Sequence, residues 1–438
     1  MAAVIPLGYR AMGTKMEGLS MTRGIRYGAA AVLMGVVPWA ANAQSVAPQD
    51  VARGVTVTTR PRPDFDPLGI RLGSFRLDGA VEAGGGVDSN VFGRHSNVKS
   101  SGYATEAGVL AINSDWTQHA LGASASTQER QYLTRSSLDW TDYNVGGFGR
   151  YDFSADTNVE MRYRHYREHL DVYNFDVQTA GIVQPVPYDS DEVAVTGTTR
   201  LNRFGLLATG VYRTYRFEDV FFNGVRNKVS QQSFNSAIGA VGGSYAIADG
   251  RYITAVMRFQ DISYTNSVST GRDSFTYEAL VGFQYDFDGV WQGRAAVGWR
   301  HRDYRSPNLK PLEGLAAEGS LTWQPTRLTT VTANVSRTIE ESIRQNAVSY
   351  TRTQGGIRVD HELFRNVLLM GDVRLDNRVY QSPNQTATDL VFTAGPRWLI
   401  NRNLSLSASY SYARRIQTSG GIQEYDRNVL ELRLRVAI

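Results

Sequence analysis

Residues 404–412 read Leu404-Ser405-Leu406-Ser407-Ala408-Ser409-Tyr410-Ser411-Tyr412, with an apolar or aromatic side chain at every even position and serine at every odd one. Successive side chains of a β-strand point to opposite faces, so a strict period of two makes a strand with one apolar and one polar face. A helix, with its period of 3.6, would mix the two sets. The rhythm continues outward from this stretch. The last strand sets Leu430, Leu432, Leu434, Val436 and Ile438 against Glu431, Arg433 and Arg435. Residues 366–380 set Val367, Leu369, Gly371, Val373 and Leu375 against Asp372, Arg374 and Asp376. Residues 327–340 set Val331, Ala333 and Val335 against Thr332, Asn334 and Ser336.

From Gly73 to the end, such segments are separated by breaks that are alternately tight and long. The tight ones are Ser114-Asp115, Ser154-Ala155-Asp156, Asn202-Arg203, Ala248-Asp249-Gly250, Asp286 to Gly289, Gln324-Pro325-Thr326, Phe364-Arg365-Asn366 and Asn401-Arg402-Asn403. Gly, Asx and Pro are the residues that tight turns demand. Longer polar breaks lie near 85–102, 133–138, 171–189, 218–231, 266–271, 305–312, 341–347, 381–386 and 416–423. Eight turns and nine loops connect eighteen strands, or sixteen if one hairpin is miscounted.

A soluble sheet with one wet face would also alternate. Three features favour a membrane wall instead. The rhythm persists over about 365 residues, longer than one soluble sandwich normally runs. Short and long connections alternate regularly. Aromatic residues gather near the tight turns (Trp116, Phe153, Phe204, Tyr285, Trp323, Phe364, Trp398) and near the long loops (Tyr166, Tyr215, Tyr264, Tyr304, Tyr350, Tyr380, Tyr425), as expected where a wall crosses two lipid–water interfaces. The expected fold is therefore all-β, a transmembrane antiparallel up-and-down β-barrel spanning residues 73–438, with short periplasmic turns and longer extracellular loops.

Composition agrees with this reading. Mean hydropathy is negative, too polar for a helical membrane protein but compatible with strands that show lipid only every second residue. Cysteine is absent, which excludes disulfides, thiolate metal sites and Cys nucleophiles. The net charge is +4, and the first 43 residues hold Arg10, Lys15, Arg23 and Arg26 against Glu17, leaving 42 basic and 41 acidic groups in the remainder. So balanced a chain gives no electrostatic case for nucleic acid.

The one strongly apolar run, Gly28 to Ala41, follows Arg23 and Arg26 and ends in Ala41-Asn42-Ala43. That order predicts a signal peptide over residues 1–43, with Ala41 and Ala43 as the small residues at the cleavage site and Met21 as the true start. At about 14 residues the run is too short to span a bilayer as a helix. Pro48, Pro61, Pro63 and Pro67 keep residues 44–72 out of regular structure, so this segment is expected to be a periplasmic lead-in. The implied destination is the Gram-negative outer membrane. The expected partners are its lipid and the barrel-assembly machinery, which reads a terminal strand with alternating apolar residues; Ile438 departs from the usual terminal aromatic.

Little reads as catalysis. His165 and His169 have the spacing of a helical metal pair, but in a strand they stand about 13 Å apart, so no metal or other cofactor is expected. Gly84-Gly85-Gly86 is followed by no helix that could aim amides at a phosphate, and a flexible loop is expected there. No spacing singles out a nucleophile with its base, and no catalytic residue is assigned. The polar alternates are the candidate functional residues. They comprise Glu160, Arg162 and Arg164; Arg294, Arg300 and Arg302; Arg358 and Asp360; Asp372, Arg374, Asp376 and Arg378; and Glu431, Arg433 and Arg435. An outward Arg near the bilayer midplane costs roughly 2–4 kcal/mol, which directs these rows into the lumen. There they either brace the wall by cross-strand pairing or set a channel lining suited to anions and sugars.

The stretch Arg62-Pro63-Asp64-Phe65-Asp66-Pro67-Leu68-Gly69-Ile70-Arg71-Leu72-Gly73-Ser74-Phe75, followed by Asp88-Ser89-Asn90-Val91-Phe92, resembles the N-terminal signature of an outer-membrane β-barrel porin family common in alphaproteobacteria. Genes of that family often sit in exopolysaccharide clusters. The resemblance implies a passive conduit for exopolysaccharide or small hydrophilic solutes, with polysaccharide and secretion components as partners. It brings no catalytic residues. The alternative is a structural or assembly barrel of a secretion system without open-pore activity.

Overall fold

The computed structural model describes residues 55–222, 225–286 and 289–438. The signal-peptide expectation, with Met21, Ala41 and Ala43, lies outside the described residues.

Eighteen antiparallel strands of 12–16 residues form the wall. They are β1 (Phe75–Asp88), β2 (Ser101–Ser114), β3 (Ala120–Tyr132), β4 (Trp140–Asp152), β5 (Thr157–Leu170) and β6 (Val186–Leu201). Next come β7 (Phe204–Phe217), β8 (Phe234–Ala248), β9 (Arg251–Tyr264), β10 (Ser274–Asp286), β11 (Trp291–Tyr304) and β12 (Leu312–Thr326). The last six are β13 (Thr329–Glu341), β14 (Ser349–Phe364), β15 (Val367–Tyr380), β16 (Gln385–Leu399), β17 (Leu404–Thr418) and β18 (Asp426–Ala437). Each pairs with its sequence neighbour, and β1 pairs with β18 from Ala80↔Ala437 to Asp88↔Val429, so the sheet closes on itself. Closure removes both edges, which is what lets a sheet stand in lipid.

The wall's two faces are sorted as the alternation requires. Outward positions carry exposed apolar side chains such as Val281, Val297, Ile357 and Leu432, and the inward positions between them are mostly polar or small, with buried Leu207, Ile238, Val256 and Leu280 the exceptions on β7 to β10. Turns are tight at one end, for example Asn202-Arg203, where Asn202 has φ 57°, and Asp249-Gly250, where Gly250 has φ 69°. One turn differs from expectation: Gln324-Pro325-Thr326 ends β12 with a register shift, and the reversal falls at Arg327-Leu328.

Two further expectations are corrected. Gly84-Gly85-Gly86 is not a loop but part of β1, paired on one side with Leu432 and its neighbours and on the other with Thr105-Ala104-Tyr103. A Cβ at Gly84 would stand 2.3 Å from the Leu432 carbonyl oxygen, and one at Gly86 2.6 Å from the Tyr103 hydroxyl; the glycines are spaced for a close approach at the seam. The loop-end tyrosines are not a lipid girdle either. Tyr166, Tyr215, Tyr264, Tyr350, Tyr380 and Tyr425 are all buried, and ring contacts such as Tyr215–Phe234 (4.5 Å) and Tyr350–Tyr380 (4.7 Å) gather them beneath the loops. Other aromatics face outward there, among them Tyr143, Phe275 and Tyr277. At the turn end Trp116, Phe153, Phe204, Phe364 and Trp398 are exposed as a girdle requires.

Before β1, the short strand Ile70–Leu72 folds back on Phe75–Leu77. The preceding residues turn into the barrel. Val57 and Arg62 are buried. The Val57 amide donates to Thr330 Oγ1 (3.0 Å) on the inner face of β13, and Arg62 donates to Glu362 (2.7 Å) on the inner face of β14. Arg60 reaches the same carboxylate at 3.1 Å.

Candidate functional site

Two residues apart on one strand means the same face and about 7 Å of separation, which an Arg side chain spans easily. The lumen repeats this device. Arg162 pairs with Glu160 (2.6 Å), Arg374 with Asp372 (2.9 Å), Arg378 with Asp376 (2.6 Å), Arg433 with Glu431, and Arg358 holds Asp360 through two bonds of 2.8 Å. Neighbouring strands then tie these pairs sideways. Arg352 bridges Glu340 (3.2 Å) and Asp376 (2.6 Å), Arg415 takes Asp389 (2.6 Å), and Arg435 takes Glu82 (2.5 Å). On the opposite wall Arg258 and Arg300 share Glu278, and Arg302 bonds Glu341, Thr276 (2.7 Å) and Gln260 (3.2 Å). Arg164 reaches across to Glu192 (2.5 Å). Arg294 stands apart: its Nη1 is buried with no hydrogen-bond partner among the described residues.

All fifteen residues singled out in the sequence thus stand on the inner face, but in separate groups. The strands β14, β15 and β18 bring nine of them to one side of the lumen, with Arg294, Arg300 and Arg302 on β11 and Glu160, Arg162 and Arg164 on β5. Sequence reading missed Glu278, Asp389, Arg397, Arg415 and Arg427, and it missed Asp88. A signal was present for two of them: Arg415 has the parity of Ser405 to Ser411 on β17, and Arg427 that of Glu431 and Arg433 on β18. His165 and His169 engage different carboxylates, His165 with Asp191 (3.0 Å) and His169 with Asp142 (2.9 Å) and Asp171 (3.3 Å).

The loop end is narrowed by the segment between β5 and β6, which dips inward around a one-turn helix, Phe175–Thr179. Asn174 caps it, its side chain accepting from the Asp176 amide (2.9 Å). Phe175 packs on Tyr380 (4.9 Å). Asp176 accepts from the Tyr380 hydroxyl (2.7 Å) and the Ile343 amide (3.3 Å), and Gln178 ties to the carbonyl of Gly93 (2.7 Å) and to Arg415 (2.6 Å). Val177, Ile182, Val220, Val229 and Ile343 form a buried cluster in which three separate loops meet. Burial holds the Asp176 carboxyl above the ordinary carboxylate range, against the opposing pull of the Tyr380 hydroxyl and Arg344. Below the helix lies a cavity of about 110 Å³, lined by Tyr173, Arg374, Arg378, Ser409, Ser411 and Arg427 among others.

The motif of the N-terminal region has structural work at both ends. Arg62 carries the buried pair at the turn end. Asp88 accepts two bonds from Arg427 (2.7 and 3.0 Å), and the Asn90 side chain donates to the Asp426 carbonyl (2.8 Å), fastening β1 to β18 at the loop end.

Residues 62–438 match the family described as "Putative beta-barrel porin 2". The chain belongs to this family. Its turn end is therefore the periplasmic side and its loop end the outer side, by the general architecture of outer-membrane barrels. Among solved structures, a BenF-like porin from Pseudomonas fluorescens Pf-5 is 12% identical with a TM-score of 0.46, covering 84% of this porin-family chain and 100% of that one. OpdK of Pseudomonas aeruginosa is 10% identical (TM-score 0.44; 84% and 100% covered), and OccAB2 of Acinetobacter baumannii 12% (0.42; 83% and 98%). None of the curated proteins matches the chain.

Proposed function

We propose that this porin-family barrel is a passive, water-filled passage for hydrophilic solutes or exopolysaccharide, delivered to the outer membrane by the signal predicted over residues 1–43. The observation that carries the reading is the inner wall: charged side chains line it at several heights from β1 to β18, and a cavity remains among them. A scaffold need only be filled, and apolar packing fills a closed barrel at less desolvation cost than ion pairs. A lining of alternating guanidinium and carboxylate groups instead stays wet and passes polar solutes. The fifteen inward residues are proposed to tune which solutes pass.

The second reading, an assembly barrel without an open pore, is favoured by the loops that meet over the lumen in the Val177–Ile343 cluster. Swelling of liposomes containing the purified full chain, in solutions of neutral sugars of graded size, separates the two. Passage predicts swelling whose rate falls with sugar size. A correctly inserted barrel that gives no swelling with the smallest sugar contradicts it.

A further inference from the structure

The inner wall is not uniform. Across β16 and β17 its inward residues are small: Thr393 and Gly395 face Ser411 and Ser409, and the Thr393 and Ser411 hydroxyls lie 2.9 Å apart. Charged columns rise on either side, with Arg374 on β15 and Arg427 and Arg433 on β18. Three strand spacings separate β15 from β18, about 14 Å, so the small residues form the floor of a trough between two guanidinium columns. The cavity beneath the loop helix is the upper part of this trough, with Tyr173 and Tyr425 at its outer end.

Two guanidinium groups along the trough keep donors in hand. Arg374 uses Nε on Asp372 Oδ1 (2.9 Å) and makes no further bond among the described residues. Arg397 stands at the foot of β16 beside Ser407, and its guanidinium makes no hydrogen bond or ion pair among the described residues. Arg374 pairs with Val391, six residues from Arg397 along β16, which places the two backbone positions about 20 Å apart. One small anion cannot touch both, whereas an extended chain bearing repeated carboxylates can. Guanidinium forks match carboxylate geometry. Serine and threonine hydroxyls both donate and accept, as sugar hydroxyls need, and tyrosine offers a flat apolar face with a polar tip.

We infer that the serine trough of β16 and β17 is a track for an acidic saccharide chain, whose carboxylates contact Arg374 and Arg397 while its hydroxyls exchange hydrogen bonds with Thr393, Ser409 and Ser411. The inference rests on the passage reading above but is tested apart from it, by equilibrium binding rather than by transport. Detergent-purified full chain is titrated calorimetrically with hexagalacturonate, with maltohexaose of equal length, and with galacturonate monomer. Hexagalacturonate is expected to bind at least tenfold more tightly than the other two. Arg397→Gln breaks no ion pair and keeps the barrel intact, as heat-modifiable gel migration would verify; it is expected to weaken hexagalacturonate at least fivefold and to leave maltohexaose unchanged. Ser409→Phe fills the trough without touching a charge and is expected to abolish binding, whereas Ser124→Phe, on the inner face of β3, is not. Equal affinity for acidic and neutral hexamers overturns the track, as does undiminished binding by a folded Arg397→Gln variant. A chain that conducts but does not bind loses the track and keeps the passage; one that binds without conducting does the reverse.

Discussion

The two mouths of this barrel are closed in by different means. At the loop end, three loops bury an apolar cluster, a one-turn helix caps the lumen, and Asp176, Gln178 and Arg415 knit these parts to the wall. At the turn end a single N-terminal segment leans on one wall, held mainly by Arg60 and Arg62 on one carboxylate, Glu362, and by Val57 on Thr330. Many cooperating contacts resist the loss of any one of them, and a few do not. The outer constriction is therefore a built part of the barrel, and the inner one a latch that one substitution can release.

The seam beside the outer mouth should respond most strongly to substitution. Asp88→Ala leaves Arg427 buried without its carboxylate, and breaking a buried pair costs about 3–5 kcal/mol. The variant should lose its heat-modifiable folded form at a clearly lower temperature than the parent. An unchanged transition would mean that the Asp88–Arg427 pair does not fasten β1 to β18.

Removing residues 174–182 should raise single-channel conductance several-fold, because the helix and its packing are lost together. Glu362→Ala should do less at its own mouth. Two arginines lose their shared acceptor, the latch weakens by about 1–3 kcal/mol, and residues 55–66 become open to protease from the periplasmic side while the wall stays intact. If limited proteolysis cuts parent and variant at equal rates, the latch is held by something else.

The smallest effect is a pH dependence confined to the outer mouth. The docked loop raises the Asp176 carboxyl above its ordinary range, so the docked state binds a proton more tightly than the undocked one. Its contribution is complete below the ordinary carboxylate value and is lost as pH rises through the raised value. Acidification from about pH 7 to about pH 4 should therefore tighten the loop and lower conductance. Asp176→Asn, which cannot ionise, should show the tight state throughout. A parent whose conductance rises on acidification would reverse the sign of this account.

What could be read from residues alone follows the same division. Strand positions and inward rows were legible because lipid on one side imposes a local rule: the Asp372-x-Arg374-x-Asp376-x-Arg378 row has only one tolerable direction. The inward direction of the loop-end tyrosines is also legible in their parity. Tyr166 shares a face with Arg162 and Arg164, and Tyr380 with Asp376 and Arg378, so both had to point inward with those charges. Gly84-Gly85-Gly86 misled because glycine in turns and glycine at a close strand approach look alike until the partner, here Tyr103 and the β18 backbone, is known. The Arg62–Glu362 pair joins residues 300 positions apart, and the meeting of Val177 with Ile343 depends on how far round the barrel two loops reach. Neither leaves a periodic trace.

On the proposed function, the lumen between these two mouths passes ions and hydrophilic solutes. Planar-bilayer recording of the full chain tests it most directly, alongside the chain lacking residues 174–182. Discrete conductance steps with weak ion selectivity are expected, since guanidinium and carboxylate groups are nearly balanced along the wall, and the steps should grow when the loop is removed. A folded, inserted barrel that stays silent in both forms would contradict the account.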